Sequence, residues 1–75
     1  MYHTIEFNAE FVVDLEISGK QPLERMLVHK GTRLPAQTRS YVVETGEGPV
    51  EVSDLFFEDG STARMVRCAC FSFVD

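Results

Sequence analysis

Ile5-Glu6-Phe7-Asn8-Ala9-Glu10-Phe11-Val12-Val13-Asp14-Leu15-Glu16-Ile17 is apolar at every odd position and polar at every even one except Val12. A period of two is the signature of a strand with one buried and one wet face. Wound as a helix, the same run would turn Phe7, Phe11 and Leu15 away from Ile5, Val12 and Val13. A straight strand of this length would reach roughly 40 Å at about 3.3 Å per residue. A domain of this size is only about 25 Å across. The strand therefore has to bend, and the small Ala9 is the natural corner, as in a small barrel.

Outward from that strand, residues 18–22 (Ser-Gly-Lys-Gln-Pro) read as a turn. Residues 22–30 support two readings. As a short helix they have Pro22 at the first position, Leu23, Met26 and Leu27 on one face, and Gly31 as a stop. Gln21 is a poor cap, however, and so short a helix is marginal without packing. As a strand they would set basic residues against the acids of the first strand. The strand is preferred and the helix is the alternative. Residues 31–37 have no clear period, and Pro35 removes a donor, so they read as a loop or an irregular, bulged edge. Residues 38–44 read as a strand centred on Tyr41-Val42-Val43, followed by a turn at residues 46–49.

Residues 50–58 and 62–74 form a hairpin about Asp59-Gly60. An odd loop length sets Leu55, Phe57, Ala63 and Met65 on one face and Val50, Val52, Val66 and Cys68 on the other. A three-residue loop with Gly60 in the left-handed conformation is therefore expected. The apolar tail, residues 68–74, would be an aggregation hazard on an open edge and is expected to pair with the first strand.

The 75 residues make a single domain, 1–75, with 44% hydrophobic and 25% charged residues, the composition of a folded chain. A chain this short buries only about 60% of its unfolded surface, so self-association or a partner would help it. A net charge of −5 argues against broad binding to nucleic acid or an anionic membrane. No run is long enough to span a bilayer, and the N-terminus lacks a cationic segment followed by an apolar run. Two cysteines in such a chain are expected to stay reduced, in a cytoplasm. Charge is segregated along the chain. Residues 1–19 carry four acids and no Lys or Arg, whereas residues 20–40 carry Lys20, Arg25, Lys30, Arg33 and Arg39 against Glu24 alone. Cross-strand pairing of the two segments is the simplest use of that segregation.

Candidate sites are few. Cys68 and Cys70, as C-x-C on a strand, would point both thiols to one side, and His3 and His29 are the only histidines to complete a zinc site. The spacing matches no zinc motif, so burial as small hydrophobes is the reading taken. Metal and cofactor are expected to be none. The basic residues His29, Lys30, Arg33 and Arg39 are candidates for binding a small molecule or phosphate. Tyr2, Tyr41 and Phe56 are candidates for an aromatic partner-binding patch. Glycines 46 and 48 precede Pro49 and a strand, which lacks the helix a phosphate loop needs. Residues 58–61 lack the ligand spacing of a calcium loop. No nucleophile-and-base set is visible, so no catalytic residue is assigned. Asp54 is expected to pair across the hairpin with Arg64.

The expectation is an all-β domain of four to five antiparallel strands, strongly curled or forming a partly open barrel, with α+β (one helix at 22–30) as runner-up. Its expected function is a non-enzymatic protein-interaction or regulatory module that can self-associate as a homodimer. The alternative is a small-molecule or phosphate-binding protein using residues 29–39.

Overall fold

The computed structural model describes residues 1–17 and 24–74. The turn expected at 18–22 lies outside the described residues. Among the described residues seven strands, rather than four or five, form one antiparallel, strongly curled half-barrel sheet: β1 (His3–Phe7), β2 (Phe11–Ile17), β3 (Glu24–Val28), β4 (Arg33–Thr45), β5 (Gly48–Phe57), β6 (Ser61–Arg67) and β7 (Phe71–Phe73). Their order across the sheet is β3-β2-β6-β5-β4-β1-β7. There is no α-helix among the described residues. Of the stretch with two readings, residues 24–28 are strand, which settles the helix alternative there; Pro22 and Leu23 fall outside the described residues.

The long first strand does bend, and it breaks. Residues 8–10 are a corner between β1 and β2. Beyond it the two halves join different neighbours, β4 and β7 for β1, β3 and β6 for β2. The strand opposite has its own corner at residues 29–32, where the Thr32 N–H donates to the His29 carbonyl at 3.1 Å and Gly31 takes φ +89°. Glu6↔Arg33 on one side of the corner and Phe11↔Val28 on the other keep the same register, each pair of numbers having the same total. Residues 3–15 and 24–36 are therefore one long hairpin folded across its middle. The Phe7 N–H donates to Thr32 and the Gly31 N–H to Phe7, at 3.0 and 2.8 Å, and stitch the two corners together.

This register is also the charge pattern. Asp14–Arg25 (3.4 Å), Glu10–His29 (3.5 Å) and Glu6–Arg33 (2.8 Å) run down the wet face of the folded hairpin. Arg25 and Arg33 thus meet acids of the first strand as expected, with His29 between them, whereas Glu16 pairs with Arg64 of β6 and Lys20 lies outside the described residues. The reading of residues 31–37 as a loop is overturned from Arg33 onward, because β4 starts there and runs 13 residues. Pro35 is tolerated because β5 begins pairing with β4 only at Ala36, so no neighbour needs its missing N–H on that side.

The core is the odd-numbered face of the first strand, as the pattern predicts. Ile5, Phe7 and Val13 pack with Val28, Ala36, Leu55, Ala63, Val66 and Phe71. Phe7 meets Phe11 edge-on across the corner, ring centres 5.7 Å apart. The β5–β6 hairpin has a three-residue loop with Gly60 at φ +88°, as expected, but at residues 58–60 rather than 59–61. Its face assignment needs one correction. A bulge sets Asp54 against both Arg64 and Met65, so the register shifts between Leu55↔Ala63 and Ser53↔Val66. Val66 is consequently in the core, and Met65 is 55% exposed. The tail does pair with the first strand, through β1 and β7, but not as a continuous strand: Cys68–Cys70 is a turn of 3-10 helix.

Candidate interaction surface

Beyond the barrel, β4 and β5 continue as an arm. β1 covers β4 only as far as His3↔Ala36, whereas β5 follows it to the turn at residues 46–47. Residues 37–45 of β4 therefore have a strand on one side and, among the described residues, none on the other. The arm's turn is closed at Thr45↔Gly48, where the Thr45 hydroxyl donates to the Gly48 carbonyl at 2.7 Å. Two-residue hairpin loops close on a hydrogen-bonded pair, and such pairs alternate with non-bonded ones along the strand. Val43↔Val50, Tyr41↔Val52 and Arg39↔Asp54 thus bond inward to β5. Thr38, Ser40, Val42 and Glu44 turn their N–H and C=O groups outward. Pro49 fits the same alternation, since its partner Glu44 needs no donor from it.

The odd residues of β4 and the even residues of β5 share the outer face of the arm with an ionic network. Asp54, 3% exposed, accepts the Tyr41 hydroxyl at 2.9 Å, the Met65 N–H at 3.0 Å and one Arg64 N–H at 3.3 Å. Arg64 also binds Glu16 on β2 at 2.7 Å, so the expected Asp54–Arg64 pair forms as part of a longer chain. Burial pushes the Asp54 carboxyl up, but the bonds from Met65 and Tyr41 and the charges of Arg64 and Arg39 outweigh it and hold it below its ordinary value. Donation to Asp54 raises the Tyr41 hydroxyl in turn. On the inner face, Ser53 is fully buried; its hydroxyl meets Ser40 at 2.6 Å and the Cys68 thiol at 3.3 Å.

Of the residues singled out from the sequence, Tyr41 lies on the arm. Phe56 is half-buried lower on the same face, opposite Gln37, and Tyr2 precedes β1 and is 43% exposed. The basic candidates do not converge. His29 and Arg33 face Glu10 and Glu6, Lys30 sits in the turn after β3, and Arg39 lies six residues beyond Arg33, roughly 20 Å along β4. Cys68 and Cys70 are on the 3-10 turn rather than a strand and part company: Cys68 goes to Ser53, and Cys70 packs on the core. No group of three or more His, Cys, Asp or Glu among the described residues is placed to hold a metal ion.

Two hollows remain. One, about 240 Å³, is lined by Leu15, Met26, Leu34, Pro35 and Phe57 with Glu58 and Asp59 at its rim. The other, about 330 Å³, lies where β2 parts from β6 beyond the bulge, lined by Val12, Asp14, Arg64, Met65 and Arg67 among others. No described helix is long and apolar enough to cross a membrane. No protein-family model matches this chain, and no curated protein or solved structure was found similar to it.

Proposed function

We propose that this protein is a non-enzymatic interaction module that takes a partner strand along the outer edge of β4. The observation that carries the reading is the length of that edge: among the described residues, 37–45 have a paired strand on one side only. Unpaired strand edges template the addition of another strand, and proteins ordinarily blunt them. Among the described residues the other open edges are shorter or blunted; where β2 and β6 part, only residues 11–14 and 64–67 are left over. β7 is three residues long, β3 is five residues bearing Glu24 and Arg25, and β5 beyond β6 contains Pro49. Main-chain bonds would supply affinity, and the alternating side chains of Arg39, Tyr41 and Val43 would supply selectivity on one face. Free thiols at Cys68 and Cys70 fit a reducing, cytoplasmic setting.

Binding of a small molecule or phosphate is supported less well. The apolar hollow, about 240 Å³, is smaller than the roughly 300–1,000 Å³ of ordinary ligand sites and has an acidic rim. The other, about 330 Å³, only reaches the lower end of that range, and its Arg64 is already bonded to Glu16 and Asp54. The basic residues 29–39 are spread along the hairpin.

The test is a selection of extended peptides displayed on phage, followed by amide chemical-shift mapping of the enriched sequences. The reading expects shifts concentrated on Thr38, Ser40, Val42 and Glu44. Binders that map instead to Leu15, Met26 and Leu34 would replace it with a ligand pocket.

A further inference from the structure

We infer that the occupant of the β4 edge is the β4 edge of a second copy, paired antiparallel about a two-fold axis through Tyr41. This rests on the interaction reading above and names its partner. Three observations favour self-pairing. Tyr41 is the midpoint of the uncovered residues 37–45, so centring there pairs every uncovered residue and stops short of β1. A two-fold axis perpendicular to the sheet requires opposed residues to share a face, hence to be of like parity. The centring on Tyr41 obeys this, setting Arg39 opposite Val43 and Ser40 opposite Val42 of the other copy. Finally, the chain carries −5 overall but residues 37–45 carry one Arg and one Glu, at opposite ends. Antiparallel pairing lays the Arg39 end of each strand beside the Glu44 end of the other, so the edge is where two acidic copies meet without local repulsion.

The product is one continuous sheet through both copies, its ladder made by the outward groups of Thr38, Ser40, Val42 and Glu44. Val42, 59% exposed in the single chain, is covered by this pairing.

The experiment is light scattering over a concentration series, with the wild type, Val42→Pro, Val42→Lys and Leu27→Lys. Val42→Pro removes a central outward N–H without touching the β5 ladder. Val42→Lys puts a charge on the edge with no backbone change, and decides the matter should the proline variant lose its fold by circular dichroism. Leu27→Lys places the same charge on β3. The expected result is a wild-type mass of twice 8.5 kDa, dissociation at least about tenfold easier in both Val42 variants, and no change in Leu27→Lys. A wild type that stays at one chain mass overturns self-pairing while leaving the peptide selection to judge the interaction reading. A dimer indifferent to both Val42 variants overturns it too, by placing the contact elsewhere.

Discussion

The N–H of Met65 points at Oδ1 of Asp54, 3.0 Å away, and Met65 is the only non-glycine residue described with positive φ, at 56°. A left-handed conformation costs an L-residue about 1–2 kcal/mol. Here it is held by a buried carboxylate that needs the donor, at the point where the β6 register shifts. The Met65 side chain is mostly in solvent, so little packing is lost with it. Met65→Gly is therefore expected to leave stability unchanged or raise it by up to about 1 kcal/mol. Met65→Val, branched at Cβ, is expected to lower it by about 1–2 kcal/mol. Denaturant unfolding of the two variants decides; a glycine variant much weaker than wild type would mean that Met65 packs rather than strains.

Asp54 is expected to make the fold acid-sensitive. Its carboxyl is held below its ordinary value in the folded chain, so the unfolded chain binds the proton more readily, and stability rises with pH across that window. The contribution is present above the unfolded value, about 3.9, and is lost as pH falls through the lower folded value. Asp54→Asn keeps the shape but cannot accept from Tyr41, Met65 and Arg64 as a carboxylate does. Expected is a loss of about 1–3 kcal/mol at pH 7 and a shallower decline of unfolding free energy between pH 5 and pH 3. An unaltered decline would move the acid sensitivity to other carboxylates.

Glu6 and Arg33 are joined at 2.8 Å, yet their side chains keep 31% and 63% of their exposure. Exposed pairs of this kind contribute roughly 0.2–1 kcal/mol and weaken with salt. A double-mutant cycle with Glu6→Gln and Arg33→Gln is expected to give a coupling within that range, shrinking in 1 M salt. Zero coupling at low salt would release Arg33 from its intramolecular role and revive it as a ligand group.

How far the sequence could be read follows from where its patterns are local. Alternation over residues 5–17 predicts the buried face and the corner, because side-chain direction in a strand depends only on parity. The parity of Leu55, Phe57 and Ala63 predicts the three-residue loop for the same reason. The bulge escapes it: Met65 is neither Gly nor Asn, so no local signal marks a left-handed residue, and everything after it, Val66 included, changes face. The extent of β4 escapes it too. Pro35 ordinarily ends a central strand, and only the pairing partners show that its donor is not needed there. Residues 38–44 are legible as a strand, but that β1 stops at Ala36 and leaves them without a neighbour on that side is a fact of pairing that no local pattern carries, so attention goes to basic side chains. Yet a clue was present: Glu6, Glu10 and Asp14 are spaced by four, as are Arg25, His29 and Arg33, which is what one antiparallel register demands.

Asn8 holds the corner of the folded hairpin to the tail. Its N–H donates to the Cys70 carbonyl at 2.8 Å, and its side-chain amide donates to the Ala69 carbonyl at 3.3 Å and to the Ser72 hydroxyl at 3.1 Å. β7 is only three residues long; besides the burial of Phe71 in the core and the edge-on contact of Phe73 with His3, it is tied to the sheet by its register with β1, continued by the Val74 N–H donating to Thr4 at 3.0 Å. A short edge strand with few bonds belongs to the least stable part of a domain and opens without global unfolding. Asn8→Ala keeps the backbone bond and removes the side-chain ones, at a cost of about 0.5–1.5 kcal/mol. Native-state hydrogen exchange should then show faster exchange at Val74, while the amides of Tyr41 and Val52 in the β4–β5 ladder keep their wild-type rates. Uniform acceleration at all three would mean that the tail opens only when the whole sheet does.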